Sequence, residues 1–421
     1  MVAAMPRWQV VLCVVGMLIT GTMNTLCTKI QFTMSSISID GRRETFQKPW
    51  FGTFNMLLAM LLVLVFQSLV RCIGSLRPGK NLKYALIQED ASPSSDAKPQ
   101  KQELSYERKV CMVAFPAGFD LLATAFACIG ILYIPASVWQ MLRGASIIFT
   151  AFFSVWLLKR EMRKYHVVGL FCCTLGVIIV GIANVLGGVA SSSNDGDSDS
   201  GSATPMLVFG MSMVVAGQVV QAAQVIAEEY LMKDVDLPAM QIVGFEGFWG
   251  LLMMVFLVYP TLYFLPGSDH GHLEDPFDTF ALVKNSGDLQ AMVLLYLFSC
   301  GTFNATGISV TQALSSVHRM MLDASRTTVI WAFGLLVHQV NPSSQFGEAW
   351  TPYSWLQLGG FVVLVFGQSV YGEVIKLPGF KYAEKASSPE WSSPSAALNF
   401  GTPPLPASTT KQDNYMSIDE I

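Results

Sequence analysis

Charge is scarce in this chain. Only 13% of its 421 residues are Asp, Glu, Lys or Arg, about half of the ~25% usual in soluble domains, which argues against a water-soluble globule. Cysteine is sparse as well. Eight cysteines with no CxxC pair and no metal-like spacing argue against a disulfide scaffold or a zinc site. There is no basic excess, since 26 Lys and Arg stand against 30 Asp and Glu for a net charge of −4, so nucleic acid is not an expected partner. HExxH, GxSxG, P-loop and GxGxxG patterns are all missing, so neither an enzyme nor a cofactor is expected. The His270-Gly271-His272 run in a polar loop reads as solvated rather than as a metal site, and no metal is expected. What the sequence has in abundance is apolar bulk, 52% of all residues, the composition of a polytopic membrane protein.

Crossing about 30 Å of hydrocarbon takes about 20 mostly apolar residues in a helix. Ten such runs occur, at roughly 8–28, 50–73, 109–130, 137–158, 165–187, 205–230, 239–265, 288–310, 316–339 and 352–374. They lack the strict alternation of barrel strands and are twice as long. The narrowest division, between the eighth and ninth, is a polar step near Ser315 and His318. The first run has no small-residue cleavage site behind it and reads as a retained helix. Residues 74–108, 188–204 and 375–421 mix charge with Ser, Pro, Gly or Asn and read as unstructured. With the amino terminus in the cytoplasm, nineteen Lys and Arg fall in inner segments and five in outer ones, so both termini are expected to be cytoplasmic.

The second half echoes the first. Ser137-Val138, Met141 and Ala145-Ser146 match Ser316-Val317, Met320 and Ala324-Ser325 at one offset, and Gly169, Gly176 and Gly181 share their spacing with Gly360, Gly367 and Gly372. Five helices per half make the halves inverted. The expected architecture is an all-α membrane protein of ten transmembrane helices in two inverted five-helix repeats. The first repeat spans 1–187 with a cytoplasmic loop at 74–108, a polar linker covers 188–204, the second repeat spans 205–374, and a disordered cytoplasmic tail covers 375–421. Such repeats put a solute site near the midplane and permit alternating access. For most of the glycines, close helix packing is the simpler role.

Seven ionisable residues fall within or near apolar runs: Asp120, Arg143, Glu228, Glu229, Glu246, Asp323 and Arg326. Each costs roughly 2.5–3.5 kcal/mol at a lipid-facing helix centre, so each must pair or face a cavity. Polar stripes recur at helical spacing: Trp139, Gln140, Arg143 and Ser146; Arg319, Asp323 and Arg326; Gln221, Gln224 and Glu228; Thr20, Asn24 and Thr28. In the functional reading Arg143 and Arg326 hold a carboxylate or phosphate, guanidinium being suited to bidentate contact, with Asp323, Gln140, Asn24 and Gln221 beside them. Glu228, Glu246 or Asp323 then carries a proton. In the structural reading the same charges pair with one another and lock the bundle, while Glu229 snorkels at a helix end. Asn304-Ala305-Thr306 fits a glycosylation pattern but lies inside an expected helix, and Cys72 beside Arg71 is a candidate for palmitoylation.

The ten spans and inverted halves resemble the drug/metabolite transporter superfamily. The strings Gln140-Met-Leu-Arg-Gly-Ala-Ser-Ile-Ile-Phe-Thr150 and Arg319-Met-Met-Leu-Asp-Ala-Ser-Arg-Thr-Thr-Val-Ile-Trp-Ala332, with Glu228-Glu229, Gly244-Phe-Glu-Gly247 and Gly307-Ile-Ser-Val-Thr311, more closely resemble solute carrier family 35, subfamily F, in its member-six-like branch. That resemblance covers about residues 8–374. It implies an endomembrane transporter whose fourth and ninth helices line the cavity. The short Lys-Thr motif of many nucleotide-sugar carriers is replaced by Leu336-Val-His-Gln339, which lowers the expectation of a nucleotide sugar.

Tyr415-Met-Ser-Ile418 fits a tyrosine-based sorting signal, which favours lysosome or vacuole over Golgi. Expected partners are a small-molecule solute, the lipid bilayer and a clathrin adaptor contacting the tail; a homodimer stays open. The function expected is secondary-active transport of a small polar, anionic or zwitterionic solute. The alternative is a transport-inactive membrane scaffold or receptor acting through its loops and tail.

Overall fold

The computed structural model describes residues 6–75, 105–134, 136–192, 203–341, 347 and 349–380. Tyr415 and Ile418 lie outside them, as do residues 76–104 of the expected cytoplasmic loop, 193–202 of the linker and 381–421 of the tail. The chain divides at Pro378 into a helical body and a separate carboxyl-terminal segment.

Strands are few. A hairpin of β1 (Ser35–Ile37) and β2 (Arg43–Thr45) follows α1 (Arg7–Thr33) and precedes α2 (Pro49–Ser75), turning at Gly41 with φ of 75°. Then come α3 (Tyr106–Met112), α4 (Ala114–Ile131), α5 (Ala136–Arg143), α6 (Ser146–Trp156), α7 (Lys164–Ser192), α8 (Ala203–Lys233), α9 (Ala239–Met253) and α10 (Tyr259–Phe264). After β3 (Pro266–Asp269) the chain forms α11 (Pro276–Lys284), α12 (Gly287–Ala313), α13 (Ser316–Val340) and α14 (Ser354–Tyr371). Among the described residues nine helical segments are long and apolar enough to cross a membrane, and α6 is a shorter apolar helix. Phe66, Phe115, Phe171, Phe256 and Phe298 all point outward, each at least 66% exposed. A soluble surface does not tolerate so much bare aromatic area, and hydrocarbon covers it without cost.

The expected helices are present, with breaks that have local causes. The third run bends at Val113, because Pro116 supplies no N–H and crowds the carbonyl four residues back. Pro260 does the same to the seventh, where residues 254–258 form a π turn between α9 and α10. The fourth run, expected as one helix over 137–158, is two. At Gly144 and Ala145 the backbone tightens to three-residue bonds, Ala145 N–H to Leu142 O at 3.0 Å and Ile148 N–H to Ala145 O at 3.0 Å. That leaves Arg143 at the end of a half-helix. Helix α7 runs through Gly187 and Gly188 to Ser192, past the expected end at 187. The step between the eighth and ninth runs is a cap, with Ser315 Oγ accepting from His318 N. Asn304, in the glycosylation pattern, is buried inside α12.

The most extensive pairings are α7 with α14, α4 with α8, α1 with α12, and α2 with α9. In the first pair, Gly169 meets the backbone of Gly367, and Gly176 that of Gly360 and Leu364. The two helices therefore run antiparallel, with backbones in contact.

Candidate functional site

A cavity of about 150 Å³ lies among α1, α5, α7, α8, α13 and α14. Arg143 comes from the half-helix end of α5 and Arg326 from the middle of α13, and Asp323 lies near both. Arg143 Nη2 is 3.8 Å from Asp323 Oδ2 and Arg326 Nη1 is 3.4 Å from Asp323 Oδ1. Neither contact has hydrogen-bond geometry. Each guanidinium also rests over a ring, Arg143 at 4.9 Å from the Trp139 centroid and Arg326 at 5.4 Å from that of Phe303. Arg326 Nε, Asp323 Oδ1 and Gln218 Oε1 are buried without a hydrogen-bond partner. Such groups are costly unless something satisfies them, and here they offer both donors and acceptors. With Lys29 at the wall, three cationic side chains and one carboxylate line the cavity, so the charge of its lining favours an anionic group.

Glycine makes the room for this arrangement. A Cβ on Gly21 of α1 would stand 2.7 Å from Arg326 Cδ and 2.9 Å from Phe303. Replacing Gly21 with Ala is expected to displace the Arg326 side chain and lower uptake about tenfold or more, since misplacements near 1 Å carry losses of that order. A vesicle uptake assay beside a thermal melt checks this, the melting temperature staying close to that of the wild type.

A second polar centre lies off the cavity. Arg319 Nη1 contacts Glu228 Oε2 at 2.5 Å, and the Gln224 amide donates to Glu246 Oε1 at 2.8 Å and to Glu228 Oε1 at 3.3 Å. Asp120 adds a third carboxyl group. Gly307 leaves space for Arg319, whose Nε would be 3.1 Å from a Cβ at that position.

The two ends of the bundle are closed differently. At the end bearing the α6–α7 connection, buried Glu229 accepts from Lys233 at 2.7 Å, from Ser316 N at 2.9 Å, and from Arg160 and the Ser316 hydroxyl. Beneath it Ile147, Ala151, Val225, Val317, Met320 and Met321 form an apolar plug. Beyond the plug lies a crevice of about 260 Å³ holding Arg160, His166 and His318. The cavity instead extends toward the hairpin end, through Lys29, Asn184 and Gln357, the last two hydrogen-bonded at 3.0 Å.

At the hairpin end a polar lock joins residues 34–51 to 265–285. Lys48 contacts Asp269 at 2.5 Å and Asp278 at 3.0 Å. Asp278 also accepts from Ser38 Oγ at 2.7 Å and Ile39 N at 3.0 Å. Glu274 accepts from Trp50 N at 3.0 Å and Phe51 N at 2.9 Å, capping α2. His270, expected to be solvated, joins this lock through Ser38 and Asp40, and Glu44, Asp269, His270 and Asp278 cluster closely enough for a cation. The Lys48 ammonium supplies the positive charge among them.

Burial pushes Glu274 up to about 7, against the opposing hydrogen bonds from Trp50 and Phe51. Burial opposes charge on Lys48 and Asp278 as well. For those two the hydrogen bonds prevail, holding Lys48 above and Asp278 below its ordinary value. Glu274 thus contributes stability that is complete below its unfolded value near 4.5 and lost as pH rises through 7. Asp278 contributes above its unfolded value and loses that only in strong acid, and Lys48 loses its share only in strong alkali. Between pH 5 and 8 Glu274 alone titrates among the three, with up to about 3 kcal/mol at stake. The melting temperature is expected to fall across that range, and Glu274→Gln to flatten the profile.

Of the residues singled out from sequence, Arg143, Asp323, Arg326 and Gln221 meet at the cavity. Glu228 and Glu246 meet at the second centre. Asn24 is absent from the cavity lining and faces Cys300 of α12. The Gln140 side chain lies outside the described residues. Glu229, read as snorkelling, is fully buried. Thr25, Lys29, Asn184, Gln218 and Gln357 at the cavity were not singled out; Gln218 follows from the α8 stripe, one turn before Gln221.

A multi-pass helical membrane protein with a charged polar cavity among its spans has the build of a membrane solute carrier. No family model matches the chain. It is 30% identical over 363 residues to solute carrier family 35 member F6 of Homo sapiens, covering 84% of this chain and 86% of that protein. It is 29% identical over 360 residues to the Mus musculus protein of the same name, covering 84% and 86%. An uncharacterised protein of Schizosaccharomyces pombe, C12G12.12, is 30% identical over 278 residues, covering 65% and 78%. The chain belongs to solute carrier family 35, subfamily F. A solved crystal structure superposes with a TM-score of 0.51 at 13% identity, covering 88% of this chain and 98% of that one, a likeness of fold alone. The names of the Homo sapiens and Mus musculus relatives describe carriers rather than enzymes.

Proposed function

We propose that this chain is a secondary-active carrier that moves a small polar solute, anionic or zwitterionic, across an endomembrane by alternating access. The observation that carries the reading is the cavity in which Arg143 and Arg326 flank Asp323 without hydrogen-bonding it. A solute carboxylate or phosphate satisfies the guanidinium groups, and Asp323 takes a donor or cationic group of the same solute. At about 150 Å³ the space is below the roughly 300–1,000 Å³ of drug-sized sites, which suits an amino-acid-sized solute and disfavours a nucleotide sugar.

The transport geometry is proposed as ten spans in inverted halves, 1–187 and 205–374. Parity supports the tenth. The hairpin and the 265–285 segment are locked together at one end, which favours an even number of crossings between them and so supports counting α5 with α6 as one. Exchanging the halves also exchanges the pairings: α4 with α8 becomes α12 with α1, and α2 with α12 becomes α9 with α4. The Gly169–Gly367 and Gly176–Gly360 contacts are reciprocal in the same sense. A cavity reaching toward one end, with an apolar plug and the Glu229 contacts closing the other, suits one state of an alternating cycle. The distribution of Lys and Arg supports cytoplasmic termini, with the hairpin end lumenal. Tyr415 and Ile418 support lysosome or vacuole through adaptor contact, and Glu228 and Glu246 are candidates for proton coupling.

The test compares metabolites of purified organelles with and without the protein, followed by uptake of whatever changes into vesicles bearing it. Accumulation of a small anion or zwitterion, lost in Arg326→Gln, is the expected result. No changed metabolite and no uptake would replace the carrier reading with that of a scaffold.

A further inference from the structure

Off the cavity, α4, α8, α9 and α13 bring Asp120, Glu228 and Glu246 near one guanidinium, that of Arg319. Glu228 takes that cation directly at 2.5 Å. Glu246, 1% exposed, has the neutral Gln224 amide at 2.8 Å. Asp120 Oδ2 is shut off from solvent and has no hydrogen-bond partner. The next charged group along α13, Asp323, belongs to Arg143 and Arg326. Helix α12 presents Tyr296 and Cys300 toward Asp120, and α1 contributes Cys27. Among the described residues of these helices no second cation faces the cluster. An ionised carboxylate inside a bundle is costly unless paired, and beyond the Glu228–Arg319 pair two carboxyl groups have no counter-ion.

We infer that Asp120 and Glu246 form the site that carries the coupling proton, and that Glu228 and Asp323 serve as charge partners of arginines instead. The inference rests on the carrier reading and names its coupling ion. Protonation turns a carboxylate into a neutral carboxyl group that both donates and accepts, which suits Glu246 beside Gln224 and gives Asp120 Oδ2 a role. Loss of the proton leaves new negative charge competing with Glu228 for Arg319. Arg319 sits one turn from Asp323 and two from Arg326 on α13, so a shift of that helix reaches the solute cavity.

The experiment needs no identified solute. The full-length protein, with Glu274→Gln to remove the raised lumenal carboxyl group, is reconstituted in lipid and titrated by difference infrared spectroscopy. Expected is a protonated-carboxyl stretching band at neutral pH that shifts in deuterium oxide. The band weakens in Asp120→Asn and in Glu246→Gln, disappears in the double variant, and persists in Glu228→Gln. Absence of the band in the folded parent protein overturns the inference, as does its survival in the double variant. Stoichiometric binding of radioactive sodium that Glu246→Gln removes would make the site a sodium site and overturn it too. Should a variant not fold, the band of the parent and its persistence or loss in Glu228→Gln still decide. A band behaving as expected beside failed uptake would sink the carrier reading and with it the coupling role, leaving only the protonated carboxyl pair.

Discussion

Replacing Arg143 and Arg326 together by Gln is expected to reduce uptake about 100-fold or more and to destabilise the protein, and adding Asp323→Asn is expected to restore stability without uptake. In the proposed carrier the two guanidinium groups would contribute charge-assisted contacts of about 1.5–3 kcal/mol each to a bound anion. Their removal also strands Asp323, whose side chain is 22% exposed, and breaking a buried pair costs about 3–5 kcal/mol at full burial. Partial exposure places this case at or below the lower end. Asp323→Asn removes the stranded charge. Uptake and melting temperature across the wild type, the double and the triple variants separate the roles. A triple variant that recovers uptake would mean that the charges only lock the bundle.

The largest stability effect is expected at the α7–α14 contact. A Cβ on Gly176 would lie 2.6 Å from Leu364 N and 2.8 Å from Gly360 O, and one on Gly367 would lie 2.6 Å from Cys173 N. These obstacles are backbone atoms, which no rotamer change moves. Gly176→Leu and Gly367→Leu are each expected to cost about 3 kcal/mol or more, beyond ordinary overpacking, and to yield little monodisperse protein by size-exclusion chromatography. Gly359→Ala is the control: it lies on the same helix with nothing within 4 Å of the added carbon, so it should match the wild type.

The spans were legible because lipid demands long apolar runs, and the breaks at Val113 and residues 254–258 follow from Pro116 and Pro260. The division of α5 from α6 left only Gly144 as a signal. The polar stripes were sound around the helix but silent along it. Gln221 and Glu228 share a face, yet seven residues separate them by about 10 Å along the axis, so one lines the cavity and the other pairs with Arg319. Arg319 and Arg326 divide in the same way. In α1 the polar face that lines the cavity is one residue round, at Thr25 and Lys29, because Asn24 turns toward Cys300 of α12. The lock at the hairpin end was illegible: Lys48 meets residues 221 and 230 positions away, and no local pattern predicts that.

The central claim is a cavity reached from the hairpin end, with a positive field set by Arg143 and Arg326. Thr327, in its wall, offers the most direct measurement. In a background where the exposed Cys72 and Cys111 are serine, Thr327→Cys is treated in oriented vesicles with membrane-impermeant thiosulfonates, one anionic and one cationic. The account predicts labelling from the hairpin side, about tenfold faster for the anionic reagent, with the preference lost in the Arg143→Gln, Arg326→Gln background. Labelling only from the opposite side, or faster reaction with the cationic reagent, would contradict it.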